Sequence, residues 1–396
     1  MMRTTPFHPR TGPLCQARNW RRWSGYSAAG SYELDYHREY WSIRNSAALI
    51  DVSPLHKYLV SGPHAARLLD RVVTRDVSKC AVHQVLYTPW CDEAGKVMDD
   101  GTLTRIDNDC FRLTSALPAL RWLEDNAPGM DVHIEDISDD LAVLALQGPN
   151  ARAILSSAAN GAADQLGFFR FCTASVQGMP VEITRTGYTG DLGYEIWIRP
   201  ENATMVWDAL QQAGRPQRMV PAGILALDVA RIEAGLIMIE VDYQPSHQAI
   251  IETRKSSPFE LGLGWAVKLD KAYFNGREAL LAEKARGPEW ELKGLEISWE
   301  SMEKLYGSVG LPPQIPQEAW RCSVPVYSQS KQVGYATSGC WSPLLKKYIA
   351  LAHLRTPHTA NGTELRMEVT VEHQRRQADA RVVSSQFFDP QRKRRP

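Results

Sequence analysis

Cysteines and metal-binding patterns are scarce in this chain of 396 residues. Its seven cysteines form no Cys-x-x-Cys pair, and an odd number without such pairs argues against a disulfide framework and for a reducing compartment. Spacings typical of metal sites, such as His-Glu-x-x-His, are absent, so we predict no metal site. No Gly-x-Gly-x-x-Gly turn opens a strand–helix–strand unit, which argues against a dinucleotide-binding domain within the chain.

Long apolar runs and an excess of charge are absent as well. No stretch approaches the length of a membrane span, and residues 1–13 lack the charged-then-apolar pattern of a signal peptide. The 45 Lys and Arg residues equal the 45 Asp and Glu residues, so no global field favours nucleic acid or an anionic membrane. We therefore predict a cytoplasmic protein without nucleic-acid or membrane partners. We interpret the local basic run at 392–395 as a solvated end.

A glycine-rich stretch, residues 185–197 (RTGYTGDLGYEIW), is the most informative feature of the sequence. Apolar side chains alternate on both sides of its centre, which predicts two strands joined as a hairpin. Its inner glycines allow a tightly curled loop. On the second strand, Glu195 offers two acceptor oxygens to a planar ligand edge with two N–H donors, as a pterin has. From composition alone, a glycine-rich hairpin with an exposed glutamate is the simpler interpretation.

Hydrophobic periodicity predicts a mixed α+β chain that ends in an all-β region. Predicted helices cover 34–48, 63–73, 118–122, 149–156, 204–212 and 224–234; predicted strands cover 58–61, 85–104, 111–115, 141–146 and the hairpin at 181–198. The composition shifts between 285 and 292, and short strands follow at 292–297, 323–327, 348–352 and 364–371, spaced for a small β-barrel. We predict an N-terminal arm over 1–34, a two-subdomain region over 35–285 and a C-terminal barrel over 290–390.

The glycine-rich stretch resembles the TGYTGExGYEI signature of the glycine-cleavage T-protein (aminomethyltransferase) family, which includes related tetrahydrofolate-dependent demethylases. Further blocks resemble the family's in the same order: 51–53 (DVS), 86–87 with 95–100 (LY, GKVMDD), 146–151 (LQGPNA), 226–235 (ALDVARIEAG), 275–280 (NGREAL) and 337–343 (TSGCWSP). The resemblance implies a three-subdomain cloverleaf around a central folate channel, with tetrahydrofolate as the cofactor and 35–285 as the folate-binding region.

Asp99 and Asp100 form the pair of acids in which we look for the catalytic group. Adjacent strand residues point to opposite faces, so only one of them enters a given site. Read without context, both are solvated. The resemblance implies that Asp99 faces the one-carbon centre of folate. A carboxylate there would stabilise positive charge or orient a proton on a folate nitrogen, and burial should raise its pKa.

The resemblance also implies five cofactor-binding residues: Tyr87 and Tyr188 beside the pterin and the aromatic linker, Glu195 as the pterin anchor, Arg231 as a forked clamp, and Trp265 near the channel. Each has an ordinary structural alternative. The tyrosines also fit as core aromatics, Trp265 as a buried core residue, and Arg231 as the partner of Asp228 three residues earlier on a helix.

The sequence departs from the family pattern at several positions: Pro54, Gly101, Thr114 and Leu227 replace the family's histidine, leucine, asparagine and arginine, and the N-terminal region is rich in aromatics (Trp20, Trp23, Tyr26, Tyr32, Tyr36, Tyr40, Trp41). The folate anchors are thus retained while positions on the donor side have changed.

Three functions follow from the resemblance. The first is an aminomethyltransferase that takes its group from a lipoyl carrier protein and yields ammonia and methylenetetrahydrofolate. The second is a tetrahydrofolate-dependent demethylase of a small O-, S- or N-methyl donor. The third is a folate-binding protein without turnover, against which the retained Asp99 argues.

Overall fold

The N-terminal segment is packed into the fold. The structure is a computed structural model that describes residues 2–395. The segment forms helix α1 (His8–Leu14) and the hairpin β1 (Trp20–Trp23) and β2 (Tyr26–Ala29). Phe7 is fully buried, and its ring centroid lies 6.0 Å from that of Trp207. The arm predicted over 1–34 therefore contributes an anchor to the core.

An antiparallel five-stranded sheet, the first sheet, follows. The elements of this part are α2 (His37–Asn45), β3 (Ala48–Asp51), β4 (His56–Ser61), α3 (Ala65–Val72), β5 (Val85–Cys91), β6 (Val97–Asp107), β7 (Cys110–Ser115), α4 (Leu120–Asn126) and β8 (His133–Asp136). The strand order is β5-β6-β7-β4-β8. One face packs on α3 and α4 around Tyr58, Leu69 and Leu113. Because side chains alternate along each strand, the other face carries a different set of side chains, which includes Tyr87 and Asp100.

A six-stranded second sheet carries the glycine-rich hairpin. Its elements are β9 (Ala142–Gln147), α5 (Ala151–Ala158), β10 (Phe171–Val176), β11 (Met179–Thr184), β12 (Gly193–Ile198), α6 (Ala203–Gly214), β13 (Val220–Pro221) and α7 (Ile224–Glu233). The order is β10-β11-β12-β9-β3-β13, in which β13 pairs parallel to β3. Helices α5 and α6 pack on the face of Leu144 and Ile196, and α2 and α7 pack on the face of Val143 and Trp197.

A closed barrel forms the C-terminal part. Its elements are α8 (Arg277–Arg286), β14 (Trp290–Ile297), α9 (Trp299–Gly307), β15 (Val324–Ser328), β16 (Lys331–Ser342), β17 (Lys347–Arg355), β18 (Glu364–Val371) and β19 (Gln374–Val383). Helix α8 precedes the barrel, whose strands close in the order β14-β17-β16-β15-β18-β19. The predicted α+β class with a C-terminal barrel is confirmed, while the exact boundaries at 34, 285 and 290 stay predictions.

Two barrel strands escaped the sequence analysis. Strand β16 contains Gly334 and Gly339, which weaken the periodic signal of a strand. In β19 the inward positions include the small residues Ala378 and Ala380 between exposed polar ones, so the apolar half of the pattern is faint. The helix predicted over 34–48 is also shorter, since residues 48–51 pair as β3 inside the second sheet.

The C-terminal run at 392–395 is not simply a solvated basic end. Arg392 donates two hydrogen bonds to Asp191 in the glycine-rich hairpin, at 2.6 and 2.7 Å, so the solvated interpretation is wrong for this residue. Within residues 2–395, no helix combines the length and the apolar character that a bilayer crossing requires.

The segment 236–244 lies where the two sheets and the barrel meet. Asp242 accepts hydrogen bonds from Thr337 Oγ1 at 2.6 Å and Ser338 Oγ at 2.7 Å, both on β16 of the barrel. The hydroxyl of Tyr243 donates to Asp100 of the first sheet at 2.5 Å. This segment therefore fixes the position of the barrel relative to the acids of strand β6.

Candidate active site

The glycine-rich stretch forms the predicted hairpin. Thr184 of β11 pairs with Glu195 of β12, and residues 185–192 form the loop between them, called the ligand loop below. The loop packs closely against Gln147 of the neighbouring strand: a Cβ at Gly193 would lie 2.2 Å from Gln147 Oε1. Gly190 adopts φ +74°, a left-handed backbone that side chains disfavour. The glycines are thus required by close packing as well as by curvature.

Glu195 is held at one carboxylate oxygen. Oε2 accepts a hydrogen bond from Thr186 Oγ1 at 2.7 Å and a longer one from Thr184 Oγ1 at 3.5 Å. Among the side chains and backbone of residues 2–395, no hydrogen-bond donor reaches Oε1. Burial raises the pKa of Glu195, and its two threonine partners together with the charge of Arg112 oppose that rise. The carboxylate is therefore oriented and keeps accepting capacity for a ligand.

Arg112 is a buried cation beside this carboxylate that the sequence analysis missed. Its side chain is almost completely buried and forms a close ion pair with Glu182. Its guanidinium carbon lies 4.0 Å from the ring centroid of Trp197. Its Nε and Nη2 have no hydrogen-bond partner within residues 2–395. Burial lowers its pKa. The available signal was an arginine between Phe111 and Leu113 on a predicted strand, because arginine is almost never fully buried unless it is paired.

An aromatic pair lies at the edge of the first sheet. The rings of Tyr87 and Trp265 are stacked at 6.0 Å between centroids and 23° between planes. Trp265 is 55% exposed, which makes the buried-core alternative wrong for this residue. Arg75 lies over its ring at 5.4 Å. The pair presents a flat apolar surface of the kind on which ring systems stack.

Asp100 meets the tyrosines. It accepts a hydrogen bond from Tyr87 at 2.8 Å through Oδ2 and one from Tyr243 through Oδ1. Burial raises the pKa of Asp100, and the two tyrosine hydroxyls oppose the rise. From the acid pair, the sequence analysis chose Asp99 as the site residue and left Asp100 out, and it did not select Tyr243. The signal for Asp100 was the acid pair itself, because the face of β6 that carries Asp100 is the face that carries Tyr87 on β5.

Asp99 points to the opposite face of the strand, as the alternation predicts. Its carboxylate accepts hydrogen bonds from the backbone N–H of Asp100 at 2.7 Å and of Leu117 at 2.9 Å. Burial raises its pKa well above the ordinary value, and the charge of Asp100 adds to the rise. Asp99 lines a cavity of about 210 Å³, together with Trp90, Met98, Leu117, Pro118, Ala119, Arg121, Trp122, Asp125 and His247.

Tyr188 and Arg231 lie next to the segment 236–244. The hydroxyl of Tyr188 donates to the carbonyl oxygen of Ile237, and burial raises its pKa. Arg231 binds Asp228 at 2.8 Å, the local pair that the sequence allowed, and forms a second close ion pair with Asp242. Burial opposes the charge of Arg231, but the two carboxylates outweigh burial and raise its pKa. Its Nη2 alone has no partner within residues 2–395.

The structure thus groups Tyr87 and Trp265 with Asp100, and Tyr188 with Arg231. It separates Asp99 onto the cavity side of β6. Glu195 of the second sheet lies beside Arg112, which is on β7 of the first sheet. No hydrogen bond joins Asp99 to Glu195.

Comparison with known proteins identifies the family. The profile of the GCVT N-terminal domain matches residues 10–271, and that of the glycine cleavage T-protein C-terminal barrel domain matches residues 308–389. The chain belongs to the glycine-cleavage T-protein family. Among its relatives, the aminomethyltransferase of Halothermothrix orenii is 35% identical over 335 residues, which cover 84% of this chain and 86% of that protein. The aminomethyltransferase of Bacillus pumilus is 34% identical, covering 88% and 89%.

One similar protein carries a different name from the aminomethyltransferases. The trimethylamine-oxide aldolase of Ruegeria pomeroyi is 33% identical over 413 residues, which cover 100% of this chain but only 48% of that longer protein. The crystal structure of aminomethyltransferase T of the glycine cleavage system from Bartonella henselae matches the fold with a TM-score of 0.83 at 24% identity, covering 98% of this chain and 99% of that one.

Membership of this family confirms the resemblance read from the sequence motifs. It also confirms that the chain is an enzyme, a one-carbon transferase of the aminomethyltransferase type. The individual site residues and the cytoplasmic location stay predictions.

The ion pairs of Arg231 give a prediction about stability. We expect Arg231→Met to lower the free energy of unfolding by about 3–5 kcal/mol, because it leaves the carboxylates of Asp228 and Asp242 buried without this counter-ion. Arg321→Met removes the other, half-exposed partner of Asp228 and should cost less than about 1 kcal/mol. Urea denaturation followed by circular dichroism measures both. Equal losses for the two variants would contradict the importance assigned to Arg231.

Proposed function

We propose that this enzyme binds tetrahydrofolate with the pterin edge on Glu195, and that it transfers a one-carbon unit to that cofactor. The observation that carries the proposal is the carboxylate of Glu195, which is half-buried, fixed by Thr186 at one oxygen and unpartnered at the other within residues 2–395. A pterin presents an amino group and a ring N–H side by side, which suit a carboxylate, next to a carbonyl oxygen, which needs a donor.

The surrounding residues fit such a ligand. Arg112 and Arg231 each have a buried Nη2 without a partner, and an unpaired buried donor is costly unless a ligand acceptor satisfies it. The stacked pair Tyr87 and Trp265 suits the aromatic linker of folate. Tetrahydrofolate, when bound, supplies the reduced nitrogens that accept the one-carbon unit.

We assign the chemical role to Asp99, which requires that the reacting end of the cofactor reach the cavity side of β6, and a positioning role to Asp100 on the Tyr87 side. Both oxygens of Asp100 are engaged by tyrosine hydroxyls, which makes it a support for Tyr87 and Tyr243. Asp99 borders a cavity with room for a small donor, and its raised pKa suits a group that holds or receives a proton during transfer. The backbone N–H groups of Asp100 and Leu117 fix its carboxylate without neutralising it.

The donor has two candidates. An aminomethyl group delivered by a lipoyl carrier protein agrees with the relatives named aminomethyltransferase, and it is the first choice. A methylated small molecule is the second, favoured by the match of the whole chain to a trimethylamine-oxide aldolase and by the changed positions Pro54, Gly101 and Leu227. A non-catalytic folate-binding role is less consistent with a buried acid of raised pKa beside a cavity.

Two measurements test the proposal. Titration calorimetry of the purified protein with tetrahydrofolate should give a Kd that weakens in Glu195→Gln; no binding at millimolar ligand would remove the proposal. Mass spectrometry of the folate product after incubation with each donor class then distinguishes the candidates. Methylenetetrahydrofolate with release of ammonia supports aminomethyl transfer. Methyltetrahydrofolate, or methylenetetrahydrofolate with release of the demethylated donor in place of ammonia, supports demethylation.

A further inference from the structure

The C-terminal segment, residues 384–395, runs close against the ligand loop and the end of α7. The backbone N–H of Phe388 donates to the carbonyl oxygen of Glu233 at 2.8 Å. A Cβ at Gly235 would lie 2.3 Å from the carbonyl oxygen of Ser385, so the two backbones touch at a position where only glycine fits. The aromatic ring of Phe388 lies 4.4 Å below the guanidinium carbon of Arg44. Residues 385–388 of this segment therefore pack against the end of α7 and against Arg44.

The C-terminal segment contacts the ligand loop at both ends of the loop. At one end, Arg392 forms a two-pronged hydrogen-bonded pair with Asp191 at 2.6 and 2.7 Å. The Asp191 side chain has no exposed surface, and Arg44 approaches it from the other side at 3.8 Å. At the other end, Arg185 donates to the carbonyl oxygen of Lys393 at 3.2 Å and closely to that of Arg395. The loop between these contacts carries Tyr188.

We propose that residues 388–395 act as a strap that positions the ligand loop, with Arg392 as the positioning residue through Asp191. The inference rests on the proposed function, since it assigns the loop to folate. The ligand loop contains two glycines, Gly187 and Gly190, and therefore has many alternative conformations. Binding a ligand to a disordered loop would be weakened by the entropy lost in ordering it. A strap that orders the loop beforehand removes that cost and improves affinity.

The physical basis is the buried charge of Asp191. A buried carboxylate needs charge-assisted hydrogen bonds, and Arg392 supplies two in the planar geometry that arginine favours. Without Arg392, Asp191 keeps the backbone N–H of Leu192 at 2.7 Å and the more distant Arg44 at 3.8 Å, and no cation bonds it directly. Its carboxylate then gains hydrogen bonds by turning outward to water. Asp191 lies three residues from Tyr188 in the same loop, so that movement displaces this proposed ligand contact. Glu195, in contrast, is held in β12 between β9 and β11.

The test compares Arg392→Gln with Arg394→Gln in the full chain. Arg394 is the matched control because, within residues 2–395, its side chain pairs only with the surface residue Asp389, at 2.9 Å. We expect Arg392→Gln to raise the KM for tetrahydrofolate about tenfold with kcat within about twofold, and Arg394→Gln to leave both unchanged. Arg392→Lys, which keeps the charge but loses the two-pronged geometry, should fall between wild type and Arg392→Gln.

A second readout works without folate. Chymotrypsin cleavage after Tyr188 should be faster in Arg392→Gln than in Arg394→Gln, because the loop opens more often. Unchanged KM and unchanged cleavage would overturn the strap, as would a fall in kcat with constant KM. If wild type does not bind tetrahydrofolate, the proposed function fails, and the cleavage rates alone then decide whether the segment holds the loop.

Discussion

Glu195→Gln should weaken tetrahydrofolate binding by about a hundredfold, the largest effect on affinity that we expect. A carboxylate has two acceptor oxygens, whereas an amide has one. The NH2 group of the amide would face a donor of the ligand and could not accept its hydrogen bond. The amide also keeps nearly the same volume, so the β12 strand and its neighbours Thr184 and Thr186 should retain their packing. Titration calorimetry with tetrahydrofolate measures the change.

The matched control is Glu201→Gln, an exposed glutamate that follows the same strand. Its Kd should equal that of wild type, and both variants should melt within a few degrees of wild type. If Glu195→Gln binds as tightly as Glu201→Gln, the pterin edge does not lie on Glu195. A loss of affinity accompanied by a collapse in melting temperature would likewise mean that Glu195 is structural.

Affinity should also depend on pH through this residue. Burial raises the pKa of Glu195 above the ordinary value for glutamate, so the anion that accepts the pterin donors is fully present only above the raised value. As pH falls through that value, Glu195 gains a proton, loses an acceptor, and the Kd rises. Calorimetry between about pH 8 and pH 5 should show this rise in wild type, beginning above the range of an exposed glutamate. The same step should be missing in Glu195→Gln.

Asp99→Asn should reduce kcat by about 10²–10⁴-fold, the largest effect on turnover that we expect. The amide cannot take a proton or stabilise positive charge on a folate nitrogen. The backbone N–H groups of Asp100 and Leu117 donate to different oxygens of Asp99, so the amide oxygen keeps one of these bonds and the NH2 group faces the other donor. We therefore expect a lower melting temperature in a protein that still folds. The Kd for tetrahydrofolate should change by less than about threefold, because the pterin contacts are elsewhere. Steady-state kinetics with the donor identified by product analysis gives both numbers.

Asp100→Asn is the discriminating partner of that experiment. The loss of the Asp100 carboxylate weakens the hydrogen bonds that Tyr87 and Tyr243 donate to it. We therefore expect a KM increase of about tenfold and a smaller effect on kcat. If instead Asp100→Asn abolishes turnover while Asp99→Asn retains it, the chemical role belongs to Asp100. Because the two acids are adjacent and of the same type, each variant is a control for the general effect of removing a buried charge.

Much of the fold follows from local sequence. The hairpin around the ligand loop, the helix Ile224–Glu233 with its stop at Gly235, and several barrel strands lie close to their predicted positions. These elements have strong periodicity or glycine at a required left-handed position, so the information is contained within a few neighbouring residues. The weakly patterned strands β16 and β19 needed their barrel partners to become recognisable.

The sequence by itself determined the family, the glycine-rich ligand loop and the presence of an acid pair of which one member faces each side of a strand. Only the tertiary structure decided which partners those groups have: that Asp100, not Asp99, meets Tyr87 and Tyr243, and that Arg112 lies beside Glu195. Arg392 and Asp191, 201 residues apart in sequence, likewise become partners only after folding. Local periodicity sets the face on which a side chain lies. The packing of the sheets and the barrel decides which distant charge comes to lie on that face. A buried charge needs a partner close in space, whatever their separation in sequence.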